Sequence, residues 1–107
     1  MQNAKEEFLE HIKDLPRVTC AVVEQELDWR TQISVATLYE GYTEKEWKAF
    51  LEKLANHNYD SGYGGQELFG TIWYEDGTYS DRGEYDGSEW WDYHKAPEKP
   101  MKKIEEL

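Results

Sequence analysis

The residues best suited to do chemistry lie in the last third of the chain, where acidic and aromatic side chains are crowded together. Residues 59–94 contain nine carboxylates and one base, Arg82, which gives a net charge of −8. Ten of the sixteen aromatic residues lie in the same window. Carboxylates attract basic groups and cations, and aromatic rings provide rigid contact area, so the window predicts a binding surface. Its acids are Asp60, Glu67, Glu75, Asp76, Asp81, Glu84, Asp86, Glu89 and Asp92.

Eight of these residues are predicted to bind a partner. Trp90 and Trp91 are adjacent on a predicted strand and therefore point to opposite faces, one into the core and the other outward or under a helix. An exposed Trp would be a candidate hot spot, but packing of both under helices or loops is the more frequent outcome. The simpler explanation for the acids is a solvated sheet edge on which charge prevents aggregation. Binding is favoured because solubility alone is served by mixed signs. The predicted partner-binding residues are Asp76, Asp81, Glu84, Asp86, Glu89, Trp90, Trp91 and Asp92.

The sequence predicts no metal site, no cofactor and no enzymatic activity. The three histidines have no metal-ligand spacing with Cys20 or with one another, and the acids do not fit a calcium loop. The glycine-rich run 62–65 lacks the Lys-Ser/Thr of a phosphate loop. An enzyme that uses Asp81, Glu84 or Glu89 ranks last, because it would need a pocket that competes with a small core.

The composition bounds the class of protein. A chain of 107 residues forms one domain, and its net charge of −11 disfavours direct binding to nucleic acid or to an anionic membrane. Cys20 is the only cysteine, which fits a reducing compartment. No apolar run is long enough to span a bilayer, and the first residues do not resemble a signal peptide, so a cytoplasmic protein is expected.

Apolar periodicity and turn residues predict an α+β domain with the order α-β-β-α-β-β-β. Asn3 caps the first helix, and Thr43 with Glu46 forms a capping box for the second, which Asn56 or Asn58 ends in a left-handed conformation. Tyr42 and Trp47 have the spacing of a hydrophobic staple. The predicted elements are a helix over 4–15, strands over 17–27 and 32–39 joined by a turn at 28–30, a helix over 44–56, a loop over 57–66, and strands over 67–75, 78–83 and 89–94.

The last three strands are predicted to form an antiparallel meander, and both helices are predicted to pack on the sheet. Asp76-Gly77 and Asp86-Gly87 mark its hairpins. The single domain is expected to cover 1–95, and 96–107 to form a frayed tail.

The pairing of the last two strands is predicted from charge repulsion. A two-residue turn at Asp86-Gly87 would place Glu84 opposite Glu89 and Asp81 opposite Asp92, which is unfavourable. A three-residue loop with a bulge would instead place Arg82 opposite Trp90 and Asp81 opposite Trp91, so the bulged loop is favoured. The alternative is a tight turn in which a bound cation relieves the carboxylate pairs.

The segment from Asn58 to Trp91 resembles a family of short proteins from bacteriophages, prophages and gut-bacterial mobile elements. These proteins carry a GQELxGxIW motif followed by DGT and RGEYDGSEWW. The resemblance implies a phage or mobile-element origin and assigns no catalytic residue.

These observations predict a small, acidic, non-enzymatic module that binds a basic surface of a host or phage protein. A narrower version is a nucleic-acid mimic whose carboxylates replace phosphates. The alternative function is an aromatic-lined binding site for a sugar or a nucleotide. An uncovered strand edge or an exposed Trp would also allow a homodimer.

Overall fold

The structure is a computed structural model that describes residues 1–28, 31–59 and 66–95. Residues 29–30 of the predicted turn, 60–65 of the predicted loop and the tail 96–107 lie outside these ranges. The elements of the described residues are β1 (Gln2–Asn3), α1 (Ala4–Ile12), β2 (Val18–Asp28), β3 (Thr31–Leu38), α2 (Glu44–Ala55), β4 (Asn58–Tyr59), β5 (Leu68–Tyr74), β6 (Tyr79–Tyr85) and β7 (Ser88–His94).

The main sheet has five antiparallel strands in the order β3-β2-β5-β6-β7. The α+β class, the predicted order of the main elements and the C-terminal meander are confirmed. The strand β2, which is apolar on both faces at its start, lies inside the sheet between β3 and β5. A second, two-residue pair joins β1 to β4 and was not predicted.

Local side-chain contacts explain where both helices begin. Asn3 caps α1 by accepting hydrogen bonds from the amides of Lys5 and Glu6, each at 3.1 Å. The predicted capping box of α2 is present, since Thr43 accepts from the amide of Glu46 and the Glu46 carboxylate accepts from the amide of Thr43. Both helices therefore begin where the sequence predicts.

The end of α2 differs from the prediction. Asn56 ends the helix with φ −85° and is therefore not left-handed. Its amide donates to the carbonyl of Glu52 at 3.2 Å, and the amide of His57 donates to the carbonyl of Leu54 at 3.0 Å. The alternative cap, Asn58, belongs to β4 and pairs with Asn3. The chain after α2 therefore continues into a strand that pairs with β1, and the helix does not end in the predicted left-handed residue.

Both helices cover the same face of the sheet, and that side contains the core. Phe8 of α1 contacts Phe50 of α2 edge to face, with ring centroids 5.3 Å apart. Phe8 also contacts Trp91 of β7 at 6.3 Å. The strands contribute Ala21, Val23, Ala36, Leu38, Leu68, Ile72 and Trp91 to this core. Strand residues at alternate positions point to the opposite face, which we call the open face; neither helix covers it.

The predicted bulge between β6 and β7 is wrong. Tyr85 pairs with Ser88 across a two-residue turn, in which Asp86 has φ 52° and Gly87 has φ 87°. Positive φ at both central positions is typical of a type I′ turn, whose twist matches that of the strands. Arg82 consequently lies opposite Trp91, and Asp81 lies opposite Asp92.

Candidate functional site

Aromatic side chains form one cross-strand row on the open face. Trp73 of β5 pairs with Tyr79 of β6, and Tyr79 pairs with His94 of β7. The rings of Tyr79 and His94 are stacked, with centroids 5.1 Å apart. Trp73 remains 42% exposed. The row therefore presents partly exposed aromatic surface to solvent, a composition that is suited to contact with a partner or a ligand.

A second row on the same face is acidic. Thr71 of β5 pairs with Asp81, and Asp81 pairs with Asp92 of β7. The Nε2 atom of His94 lies 2.8 Å from Oδ1 of Asp81 and 3.5 Å from Oδ2 of Asp92. A histidine thus lies between the two carboxylates whose repulsion argued against this register.

Two strand glycines allow the adjacent tryptophans to pack on opposite faces. Trp90 lies on the open face over Gly83, where an added Cβ would come within 2.6 Å of its Nε1 atom. Trp91 lies in the core against Gly70, where an added Cβ would come within 3.1 Å of its ring. One Trp is therefore in the core and the other, Trp90, is 40% exposed. The opposite orientation of the two rings is confirmed, and the more frequent outcome, in which both pack under helices or loops, is not found.

Glu89 and Trp91 lie inside the domain, which corrects the prediction that they contact a partner. The Glu89 side chain is 0% exposed and accepts hydrogen bonds from the amides of Glu67 and Leu68, at 2.6 and 3.0 Å. Arg82 donates to the same carboxylate at 3.1 Å. Glu89 is therefore a structural residue, because it satisfies buried donors.

Arg82 is the centre of this buried network. Its side chain, 1% exposed, lies 3.0 Å from the Glu7 carboxylate, donates to the Tyr59 hydroxyl at 2.8 Å, and lies over the Trp91 ring at 5.0 Å. Burial lowers the pKa of Arg82, but Glu7 and Tyr59 raise it by more. Burial raises the pKa of Tyr59, as does its hydrogen bond to Glu7, so the hydroxyl stays neutral. The predicted Arg–Trp contact exists, but with Trp91 and in the core.

The other predicted site residues are at least partly exposed, but they do not all lie on the open face: Glu84 pairs with Glu89 and therefore lies on the side of the sheet that the helices cover. Asp76 and Asp86 occupy the two hairpin turns, and the Asp76 carboxylate accepts from the hydroxyl and the amide of Thr78, which lowers its pKa. Glu84 accepts from the amide of Gly87 at 2.8 Å. Together with Asp81, Asp92 and Trp90, these three carboxylates form the part of the predicted set that solvent can reach.

Charge is distributed unequally between the helices and the strands. The strand sequences contain seven carboxylates and one base, the buried Arg82. The two helices contain six carboxylates and four lysines. Within the described ranges, therefore, no strand offers an exposed Lys or Arg to neutralise the acids of the open face.

A groove lies between α1 and the edge strand β7. It has a volume of about 540 Å³ and is bordered by both tryptophans of β7. Three glutamates and a histidine of α1 form its other wall. Trp90 thus contributes both to the open face and to an acidic groove at the sheet edge. The groove residues are Gln2, Glu6, Glu7, Glu10, His11, Trp90 and Trp91.

The sequence reasoning missed two features of this region. Glu7 and Glu10 lie in the first helix, and only the fold brings that helix beside β7. The proximity of His94 to Asp81 and Asp92 follows from the register, which was predicted wrongly. The spacing of Asp92 and His94, two residues apart on a strand, was the available signal, because such residues share a face.

Comparison of the chain with protein-family models, with curated proteins and with solved structures gave no match. Neither helix in the described part of the chain is long and apolar enough to cross a membrane.

Proposed function

We propose that the chain is a non-enzymatic protein-interaction module that binds a basic surface of a partner protein. The binding surface is the open face over β5, β6 and β7, extended at Trp90 into the groove beside α1. One observation carries this proposal: exposed aromatic rings and carboxylates share a face to which the strands contribute no exposed Lys or Arg. Trp and Tyr are enriched among the residues that carry most of the binding energy of an interface, and the rim around them is polar.

The charge of this face also supports a mechanism of association. Long-range attraction between an acidic face and a basic partner accelerates encounter and weakens as salt is added. Trp73 and Trp90 then provide contact area after the charges have oriented the two proteins. We propose that the partner is a host or phage protein, in keeping with the mobile-element resemblance of residues 58–91.

Affinity capture from a bacterial lysate at low and high salt tests the proposal. We expect specific proteins to be retained at low salt and released at high salt. The double variant Asp81→Asn/Asp92→Asn and the variant Trp90→Ala should lose them. The matched control is Glu44→Gln/Glu52→Gln, which removes the same charge from α2 and should retain them.

Equal retention by all four proteins would contradict the proposal, and retention that does not depend on salt would exclude the electrostatic mechanism. The narrower proposal, that the chain mimics a nucleic acid, makes one additional prediction. If the captured protein normally binds a duplex, added duplex DNA should displace it from the wild-type chain.

A second candidate function, binding of a sugar or a nucleotide ring, is supported by the exposure of Trp73 and Trp90 on one face. Stacking on these rings, with Asp81 or Asp92 accepting hydroxyl hydrogen bonds, would be the mode of binding. A ligand panel monitored by Trp fluorescence tests it. Quenching that is lost in Trp73→Phe or Trp90→Phe supports this candidate, and no response across the panel rejects it.

A further inference from the structure

We propose that Asp81, Asp92 and His94 bind one divalent first-row transition-metal ion, with Zn²⁺ as the best fit. Asp92 and His94 are two residues apart on β7, and Asp81 lies directly opposite Asp92 on β6. All three side chains therefore project from the open face. Their nearest ligand atoms, two carboxylate oxygens and one imidazole nitrogen, lie within 4.8 Å of one another.

The separations of these atoms suit a small ion. Zinc bonds to oxygen and nitrogen are about 2.1 Å long, so neighbouring ligands of a tetrahedral site are separated by about 3.4 Å. The Nε2 atom of His94 is 3.5 Å from Oδ2 of Asp92 and 2.8 Å from Oδ1 of Asp81. The ligand oxygens of Asp81 and Asp92 lie within 4.8 Å of each other. Small changes of side-chain torsion, which move His94 and Asp81 apart by about half an ångström and bring the two carboxylates to the same spacing, would give the geometry.

The register of the hairpin supplies an independent reason for a cation. The type I′ turn at Asp86-Gly87 fixes Asp81 opposite Asp92, a like-charge pair that destabilises a sheet unless it is compensated. Within the described strands the only Arg or Lys is Arg82, which points into the core. A divalent ion would neutralise both carboxylates at once, which a single imidazolium cannot do.

The types of ligand atom, and the contact that orients the histidine, favour zinc over calcium. Calcium requires six to eight oxygen ligands, whereas zinc accepts imidazole nitrogen and carboxylate oxygen together in a four-coordinate site with water in the open position. The stacking of His94 on Tyr79 limits the orientations of the imidazole and holds it on the open face. Asp81, Asp92 and His94 are each about half exposed or less, so water can fill the remaining coordination position.

Titration of the full chain, freed of metal by chelation, with ZnCl₂ in a calorimeter tests this proposal. We expect one site per chain, and Co²⁺ bound there should give the visible absorption bands of tetrahedral cobalt. His94→Ala and Asp81→Asn should each weaken zinc binding at least about tenfold, because each removes a direct ligand. Zinc should also raise the melting temperature of the wild type but not of His94→Ala.

The matched controls are His57→Gln and Asp86→Asn, which remove a histidine and a carboxylate from outside the cluster and should bind zinc as the wild type does. Undiminished binding by both ligand variants would overturn the proposal, as would the absence of zinc binding or a preference for Ca²⁺. His94→Gln provides a second variant with a polar side chain if His94→Ala is unstable. The titration needs no partner, so its result is independent of the proposed interaction function.

Discussion

At the scale of single residues, Arg82 is a side chain on which stability depends strongly, because it is the buried counter-ion of two carboxylates. It is enclosed by Glu7, Glu89, Tyr59 and the Trp91 ring. Two buried or nearly buried carboxylates would lose their counter-ion if it were removed. A buried pair contributes little compared with an apolar replacement of both members, but breaking it by removing one partner is costly.

We therefore expect Arg82→Met to lower the free energy of unfolding by about 3–5 kcal/mol. The double variant Arg82→Met/Glu89→Gln should lose less than the sum of the two single variants, because no buried charge is then left at position 89. Urea unfolding monitored by Trp fluorescence measures both effects. Lys48→Ala, which breaks only an exposed pair with Glu44, is the control and should change stability by less than about 0.5 kcal/mol. A loss under about 1 kcal/mol for Arg82→Met would contradict this account.

The role of Glu89 also shows what residue types alone could not predict. Because a carboxylate in a strand is polar, the residue type alone predicts that Glu89 lies on the surface with the other acids of the meander. Its burial depends on Arg82 and on the amides of residues 67 and 68, and the ion pair of Arg82 with Glu7 spans 75 positions of sequence. No local pattern reports contacts at that separation.

At the scale of elements, the sequence predicts the position of both hairpin turns, but it predicts the strand register of the second hairpin wrongly. The Asp-Gly pair at 76–77 was located correctly, with Gly77 at φ 87°. At 86–87, the expected repulsion between carboxylates led to the prediction of a bulged three-residue loop. The structure instead has the two-residue turn that the Asp-Gly dipeptide favours. Repulsion was overestimated because Glu89 points into the core toward Arg82, whereas His94 lies between Asp81 and Asp92.

This explanation predicts different effects at the two turn positions. Gly87→Ala should lower the free energy of unfolding by about 1–2 kcal/mol, because an L-residue is strained at φ 87°. Asp86→Asn should be neutral or slightly stabilising, since Asn is favoured at this position of a type I′ turn. Chemical denaturation measures the stabilities, and amide exchange of Tyr85 and Ser88 reports on the hairpin itself. If Gly87→Ala had the stability of the wild type, the type I′ assignment would be incorrect.

Periodicity and caps predicted the elements that depend on short-range contacts. Both capped helix starts and the three strands of the meander follow from residues within a few positions of one another. The pairing of β2 with β5, and that of β1 with β4, joins segments more than 40 residues apart, and neither has a local signal. For that reason the sequence predicts the exposed acids and the Trp of the meander as site residues, but it does not predict the groove beside α1.

At the scale of the whole molecule, two histidines connect stability to pH. Burial lowers the pKa of His11 and of His57 below 6.5, and in His11 the nearby Arg82 lowers it further while Asp92 partly opposes the shift. Between the native pKa and 6.5 the unfolded chain binds more protons than the folded one, so stability decreases as the pH falls through this window.

We expect the free energy of unfolding to decrease from about pH 7.5 to about pH 5.5. Urea denaturation across that range measures the decrease. His11→Gln should reduce the slope, because it removes one of the two groups that are kept neutral in the native state. A midpoint that is constant over the range, or one that rises toward acid, would contradict the assignment.

Among the described residues, the strand sequences have a net charge of −6 (one base, seven acids) and the two helices have a net charge of −2 (four bases, six acids). This part of the molecule therefore has an electric dipole whose more negative side is the sheet. A cationic target would exert a torque on the domain before contact and turn it sheet-first, which removes most unproductive encounters. The helical layer would face away from the target, and it is therefore the better place for a fluorescent label or a surface tether.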